Sequence, residues 1–339
     1  MMNSTFQDCI CFFKQIYDNK KWRSYNFTRF ESFLSHRDEF ENICVIGSPY
    51  GLLLYLLFVQ DITKTIFVFQ GRYPLKDAAD RLRALGAICV FISYDENEKG
   101  EGQQWYNAIR VLDLDAMNVY IQDTMPAFEL FPQKAITLIE DGRISYISHC
   151  DSMKTKGFKV YIYSPNVKNI IYTGLESIPN DLIDKSTVIQ IEKCWNDLDN
   201  SMQNRILFIF EFDSNDMLQL IKEGRNIIVF TRNYATIGKC SLESHIKMYK
   251  EIIANYDPHR IIIKPHPNDD VNYSMYFPDC FILPTKLPAE LLYLCKIPID
   301  TIASVDTSSN VFGCIQSGVH INLYEHLLNK YDIISLRSQ

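Results

Sequence analysis

The chain reads as an α/β protein of two Rossmann-like, doubly wound lobes facing each other across a cleft, and three observations carry that reading. At 339 residues it exceeds the usual size of one hydrophobic core. Short runs rich in Ile, Val and Phe alternate with polar, helix-like stretches, in two consecutive series. The runs are apolar on both faces, as strands of a parallel sheet covered on each side must be.

The first series comprises Ile43–Ile46, Ile66–Phe69, Ile88–Ile92, Val119–Ile121, Ile136–Ile139 and Val160–Tyr163. After the first run, Gly47-Ser48-Pro49-Tyr50-Gly51 opens an apolar helix, which places Gly47, Ser48 and Tyr50 in a loop lining the cleft. That loop lacks the spacing of a dinucleotide fingerprint. A helix is expected from Pro74 to Leu85, with Gly86 as its stop. The second series is Asn226–Phe230, Arg260–Ile263, Cys280–Leu283, Thr301–Ala303 and His320–Leu323, with a helix from Leu242 to Ala254. Thr231, just past its first run, belongs to the same class of cleft loop. The polar stretch between the series divides the chain into an N-terminal lobe (1–177), a hinge (178–225) and a C-terminal lobe (226–339). Within the hinge, periodicity leaves Ile206–Phe210 open between strand and helix.

Composition narrows the function. The net charge is −7 with no run of Lys and Arg, which argues against nucleic acid binding. Ten cysteines are scattered without a CxxC pair, and Cys44 and Cys89 sit inside apolar runs, so reduced thiols in a cytoplasmic protein are expected. The N-terminus carries Asp8 and Lys14 among its apolar residues, unlike a signal peptide. The longest apolar stretch, Leu52 to Val59, is too short to span a bilayer. Any contact with the inner membrane is therefore expected to be peripheral. Phe6, Ile10, Phe13 and Tyr17 recur at helical spacing and suit packing on the lobe, with a second copy of the chain as the other admissible partner.

The chemistry concentrates where apolar runs end. Ile261-Ile262-Ile263 runs into Lys264-Pro265-His266-Pro267, and the two prolines pin the backbone on either side of the imidazole. A fixed His beside a Lys suits a phosphate leaving group, whose departing oxygen it neutralises or protonates. Ile136–Ile139 runs into Glu140-Asp141-Gly142, where two successive carboxylates cannot point the same way from extended backbone. One can face the cleft as a base while the other braces the turn, and Gly142 permits positive φ. Thr301–Ala303 leads to a hydroxyl cluster in which Ser308 and Ser309 can hold a phosphate or simply cap a helix. Glu290, near a helix start, can accept ribose hydroxyls or serve the helix dipole. Two D-x-D patterns, Asp113-Leu114-Asp115 and Asp197-Leu198-Asp199, read as solvated, and the histidines show no metal-ligand spacing.

In this order the acidic pair with glycine (Glu140-Asp141-Gly142), the His-Pro pair (His266-Pro267) and the serine pair (Ser308-Ser309) resemble the signature of bacterial sialyltransferases. The resemblance is strongest to glycosyltransferase family 52, with its lipooligosaccharide and capsule enzymes, and next to the polysialyltransferases. It implies the GT-B fold and an inverting, metal-independent transfer from CMP-sialic acid to a sugar hydroxyl, such as that of a galactose-terminated glycan. It further implies no cofactor, a base from Asp141 or Glu140, His266 at the phosphate, and donor contacts from Lys264, Pro267, Glu290, Ser308 and Ser309. Because the first acidic position holds Glu, the choice of base stays open at this point. The rival readings are a transferase using CMP-Kdo, a metal-dependent sugar transferase and a nucleotide-sugar-binding regulator.

Overall fold

The computed structural model describes residues 40–59, 61–70, 75–92, 117–125, 131, 134–149, 160–305, 319–331 and 333. The N-terminal helical spacing, Asp113-Leu114-Asp115 and the Ser308-Ser309 pair lie outside the described residues. The chain forms two units, residues 1–153 with 157–190 and residues 154–156 with 191–339.

The first unit is built on a seven-stranded sheet: β1 (Asn42–Ile46), β2 (Thr65–Gln70), β3 (Ile88–Ile92), β4 (Asn118–Gln122), β5 (Ile136–Ile139), β6 (Val167–Tyr172) and β7 (Ser186–Val188). Every pairing is parallel and the order is β3-β2-β1-β4-β5-β6-β7. The winding reverses between β1 and β4, so the loops after these strands border the place where open α/β sheets bind ligands. All five residues of β1 are buried, as a central strand requires. Helix α1 (Pro49–Phe58) starts at the N-cap Ser48, whose side chain accepts from the Gly51 N–H, with Pro49 in its first turn. Helix α2 (Lys76–Ala84) is followed by Gly86 at φ +95°, the left-handed stop that glycine permits.

One expected strand is displaced. Ile162 and Tyr163 form a turn, and the strand is Val167–Tyr172. The Tyr161 N–H is bound to the Asp123 carboxylate at 3.0 Å and the Ser164 N–H closes back on the Tyr161 carbonyl, so neither joins a ladder. Ser164-Pro165-Asn166 is turn chemistry, and it shifts the strand register downstream. The short edge strand β7, largely exposed, had no apolar run to announce it.

The second unit has a five-stranded parallel sheet, β8 (Ile227–Phe230), β9 (Ile261–Lys264), β10 (Phe281–Ile282), β11 (Thr301–Ser304) and β12 (His320–Leu323), in the order β10-β9-β8-β11-β12. Its helices are α3 (Ile191–Asp197), α4 (Asn200–Ile209), α5 (Ser214–Lys222), α6 (Leu242–Ile253), α7 (Glu290–Leu294) and α8 (His326–Lys330). Residues 178–225 are thus shared between the units, with β7 in the first and α3 to α5 in the second. Ile206 to Ile209 are helical. Asp197 ends α3, and Asp199 caps α4 by accepting from the Met202 N–H at 2.7 Å. Among the described residues no helix is long and apolar enough to cross a membrane.

Candidate active site

In the first unit the candidate base stands just past the C-terminal end of β5. Asp141 is partly exposed, and each of its carboxylate oxygens accepts one hydrogen bond: Oδ1 from the Gln122 amide at 2.6 Å, Oδ2 from the Thr124 hydroxyl at 2.6 Å. Burial pushes its pKa above the usual carboxylate value, while the bonds from Thr124 and Gln122 oppose the shift. Gly142 then turns the chain at φ +65° into a 3₁₀ turn. The neighbouring Glu140 behaves differently. It is fully buried and is held by the hydroxyls of Tyr50, Tyr146 and Thr173 and by the Thr173 N–H. Burial raises its pKa as well, against the pull of these donors. Four donors leave Glu140 little capacity for a substrate, and they tie the start of α1, the 3₁₀ turn and the end of β6 together.

Gln122, at the end of β4, links the loops on the two sides of the winding reversal. Its Oε1 accepts from the N–H groups of Gly47 (2.9 Å) and Ser48 (3.0 Å), while its Nε2 donates to Ser48 Oγ (2.7 Å) and Asp141. Gly51 makes room for this amide, since a Cβ there would lie 2.3 Å from Gln122 Oε1. Gly51→Ala is therefore expected to cost about 1–3 kcal/mol of stability through overpacking. It should also lower activity by displacing the Asp141 partner; thermal denaturation together with a turnover assay checks both effects.

In the second unit His266 follows β9. Its N–H donates to Thr231 Oγ1 at 3.2 Å, and its Nδ1 accepts from the Asn268 N–H at 3.1 Å. An Nδ1 that accepts carries no proton, so the neutral ring bears its proton on Nε2, which has no protein partner among the described residues. Burial, then Arg232, Lys264 and Lys286, pull the His266 pKa down to about 3. The ring is thus a neutral donor in a cationic setting. Buried Thr231 follows β8 and in turn donates to Asp269, whose carboxylate also accepts from Tyr273 and Thr236. The loop carrying His266 is anchored from three sides.

Lys264 is buried and donates to the carbonyls of Pro265 (2.5 Å) and Thr285 (3.1 Å). Burial lowers its pKa to about 7, against the nearby Glu290 carboxylate and together with Lys286. Lys286 binds the carbonyl of Pro267, so both lysines brace the Pro-His-Pro turn. Glu290 opens α7. Arg232, directly after Thr231, has a buried Nε without a hydrogen-bond partner among the described residues. Among the described residues no group of three or more His, Cys, Asp or Glu side chains is placed to hold a metal ion.

The structure gathers Gly47, Ser48, Tyr50, Glu140, Asp141 and Gly142 at strand ends of one sheet. It gathers Thr231, Lys264, His266, Pro267 and Glu290 around the corresponding ends of the other. Sequence reasoning missed Gln122, Asp123 and Thr124 on the first sheet and Arg232 and Lys286 on the second. The one available signal was position, since Gln122 and Arg232 also end apolar runs.

The sequence model of glycosyltransferase family 52 matches residues 121–312, more than half of the chain. An uncharacterized protein of Haemophilus influenzae is 29% identical over 273 residues, covering 78% of this chain and 88% of the relative. Among solved structures, the α/β-galactoside α-2,3-sialyltransferase of Photobacterium phosphoreum aligns with a TM-score of 0.54 at 13% identity, over 88% of this chain and 97% of that one. A Photobacterium sp. JT-ISH-224 2,6-sialyltransferase, solved with CMP and lactose, aligns at 0.57 and 15% identity, over 86% and 74% of the respective chains. The GT-B domain of a Photobacterium damselae sialyltransferase aligns at 0.51 and 14%, over 83% and 89%. These likenesses make the fold class GT-B.

Proposed function

The chain belongs to glycosyltransferase family 52, and from that premise we propose that it moves sialic acid from CMP-sialic acid to a sugar hydroxyl, with inversion and without a metal ion. Family membership makes it a glycosyltransferase. The donor class is supported by one observation above the others: a neutral His266 with its Nε2 proton on offer, among Arg232, Lys286 and Lys264. A nucleoside monophosphate leaves with less charge than a diphosphate, so protein donors can take the place that a metal holds elsewhere.

In this reading Asp141 accepts the proton of the acceptor hydroxyl as its oxygen attacks the anomeric carbon. The bond from that carbon to the phosphate oxygen breaks, and the electron pair leaves with CMP. His266 Nε2–H donates to the departing phosphate, Arg232 offers its unpartnered Nε to the same charge, and Glu290 receives the ribose. Attack on the face opposite the leaving group inverts the centre. Ser308 and Ser309 are proposed to hold the phosphate, as their resemblance to the sialyltransferase serine pair implies. A galactose-terminated glycan of lipooligosaccharide or capsule is the proposed acceptor, and the cytoplasm the proposed location.

Incubation with CMP-sialic acid and galactose-terminated acceptors should release CMP in proportion to sialylated product, and excess EDTA should leave the rate unchanged. CMP release from CMP-Kdo alone would transfer the proposal to that donor, and no release from either would end it. Arg232→Met is expected to raise the donor KM about tenfold or more, the size of a lost hydrogen bond to a charged group. Initial rates at varied donor concentration test this.

A further inference from the structure

The last residue of β4 and the turn after it reach Asp141 by two direct hydrogen bonds and one relayed contact, and none of these residues belongs to the motifs described above. Gln122 supplies the first. Both acceptor sites of its Oε1 are taken by the N–H groups of Gly47 and Ser48, so the amide cannot be flipped and Nε2 must face Asp141 Oδ1. Thr124 supplies the second. It is a β-branched residue at φ +69°, a region such residues rarely enter, and there its hydroxyl reaches Asp141 Oδ2. Asp123 supplies the third indirectly. Fully buried, it accepts from Ser145 Oγ at 2.9 Å, and Ser145 Oγ accepts from the Asp141 N–H at 2.8 Å.

We infer that Gln122-Asp123-Thr124 is the positioning device of the catalytic base: Gln122 and Thr124 hold one carboxylate oxygen each, and Asp123 fixes the backbone beneath through Ser145. This rests on the reading of Asp141 as the base. Both held oxygens receive hydrogens, which favours the ionised form that accepts a proton. The strain at Thr124 fits this role, because backbone strain persists where the surroundings over-determine a functional geometry. A turn that merely braced the loop would not need a threonine at positive φ aimed at a carboxylate. The titratable groups around Asp141 are Asp123 from this turn, and Glu140 at its own strand end with Tyr50 and Tyr146 bound to it.

The test reads Asp141 directly, by ¹³C NMR titration of aspartate carboxyl carbons in the full chain, with the Asp141→Asn variant assigning the resonance. Thr124→Val removes the hydroxyl while keeping the side-chain shape, and Gln122→Glu replaces the amide donor by a second carboxylate. Each is expected to raise the Asp141 midpoint by about one unit or more. Thr124→Ser should restore it. In a turnover assay the acid limb of kcat/KM should move upward with the midpoint. Folded variants in which Asp141 titrates as in the unaltered chain would overturn the inference, and Thr124→Val stands alone if Gln122→Glu fails to fold. The NMR readout needs no donor. A shifted midpoint in a protein inactive on CMP donors would therefore refute the proposed function and leave the positioning role standing.

Discussion

Asp141→Asn is expected to lower kcat by about 10²–10⁴-fold, the usual contribution of a positioned general base. The substitution keeps the size of the side chain and its place at the end of β5. It loses proton affinity, while its amide oxygen can still accept from Gln122 and its NH2 can donate to the Thr124 hydroxyl, so the site keeps its shape. The pH profile makes the prediction specific. A base at Asp141 must be ionised to act, and burial raises its pKa, so the proposed role predicts activity above the raised value and its loss as pH falls through it. The acid limb of kcat/KM should accordingly lie above the ordinary carboxylate range in the unaltered enzyme and vanish in Asp141→Asn. Glu140→Gln should keep the limb and lose mainly stability, because Glu140 is enclosed by Tyr50, Tyr146 and Thr173. A limb that disappears with Glu140 and persists without Asp141 would reverse the assignment.

His266→Ala is expected to lower kcat by about 10²–10³-fold, the cost of removing one donor from a developing anion. His266→Gln separates two ways in which the ring can act. Its amide nitrogen falls near the place of the imidazole Nε2, so it can donate a hydrogen bond without delivering a proton. The free ring is neutral, with its pKa drawn down to about 3 by burial and by Arg232, Lys264 and Lys286. A hydrogen-bond donor of this kind predicts partial recovery of kcat in His266→Gln. It also predicts no limb from His266 in the kcat/KM profile near the usual histidine pKa, since that profile reports the free enzyme. Equal losses for Ala and Gln, with a limb near neutrality that both abolish, would show proton delivery instead.

The strands were legible where burial on both faces wrote itself into the sequence. Ile43–Ile46 and Ile261–Ile263 are uniformly apolar, and Ile136–Ile139 is apolar but for Thr137, because these strands have neighbours on both sides in covered sheets. The signal failed at one edge and in one turn. Ser186-Thr187-Val188 pairs on one side only and has no apolar requirement, and Val160–Tyr163 is apolar because it packs as a turn against the sheet. The placement of the candidate site residues was legible by the same logic at one remove, since polar groups directly after a buried run sit at a strand end.

The sequence by itself determined the α/β class, the two series of strands, and the positions of Glu140, Asp141 and His266 at strand termini. All of these follow from local patterns of burial and backbone restriction, which act between neighbours in the chain. Which carboxylate is enclosed and which is partly open, the tautomer of His266, and the convergence of Gln122, Thr124, Arg232 and Lys286 on those groups were decided only by the tertiary structure. Each depends on contacts between residues far apart in sequence, such as Gln122 with Gly47 or His266 with Thr231. Parallel strand order sets such contacts, and no local periodicity encodes it.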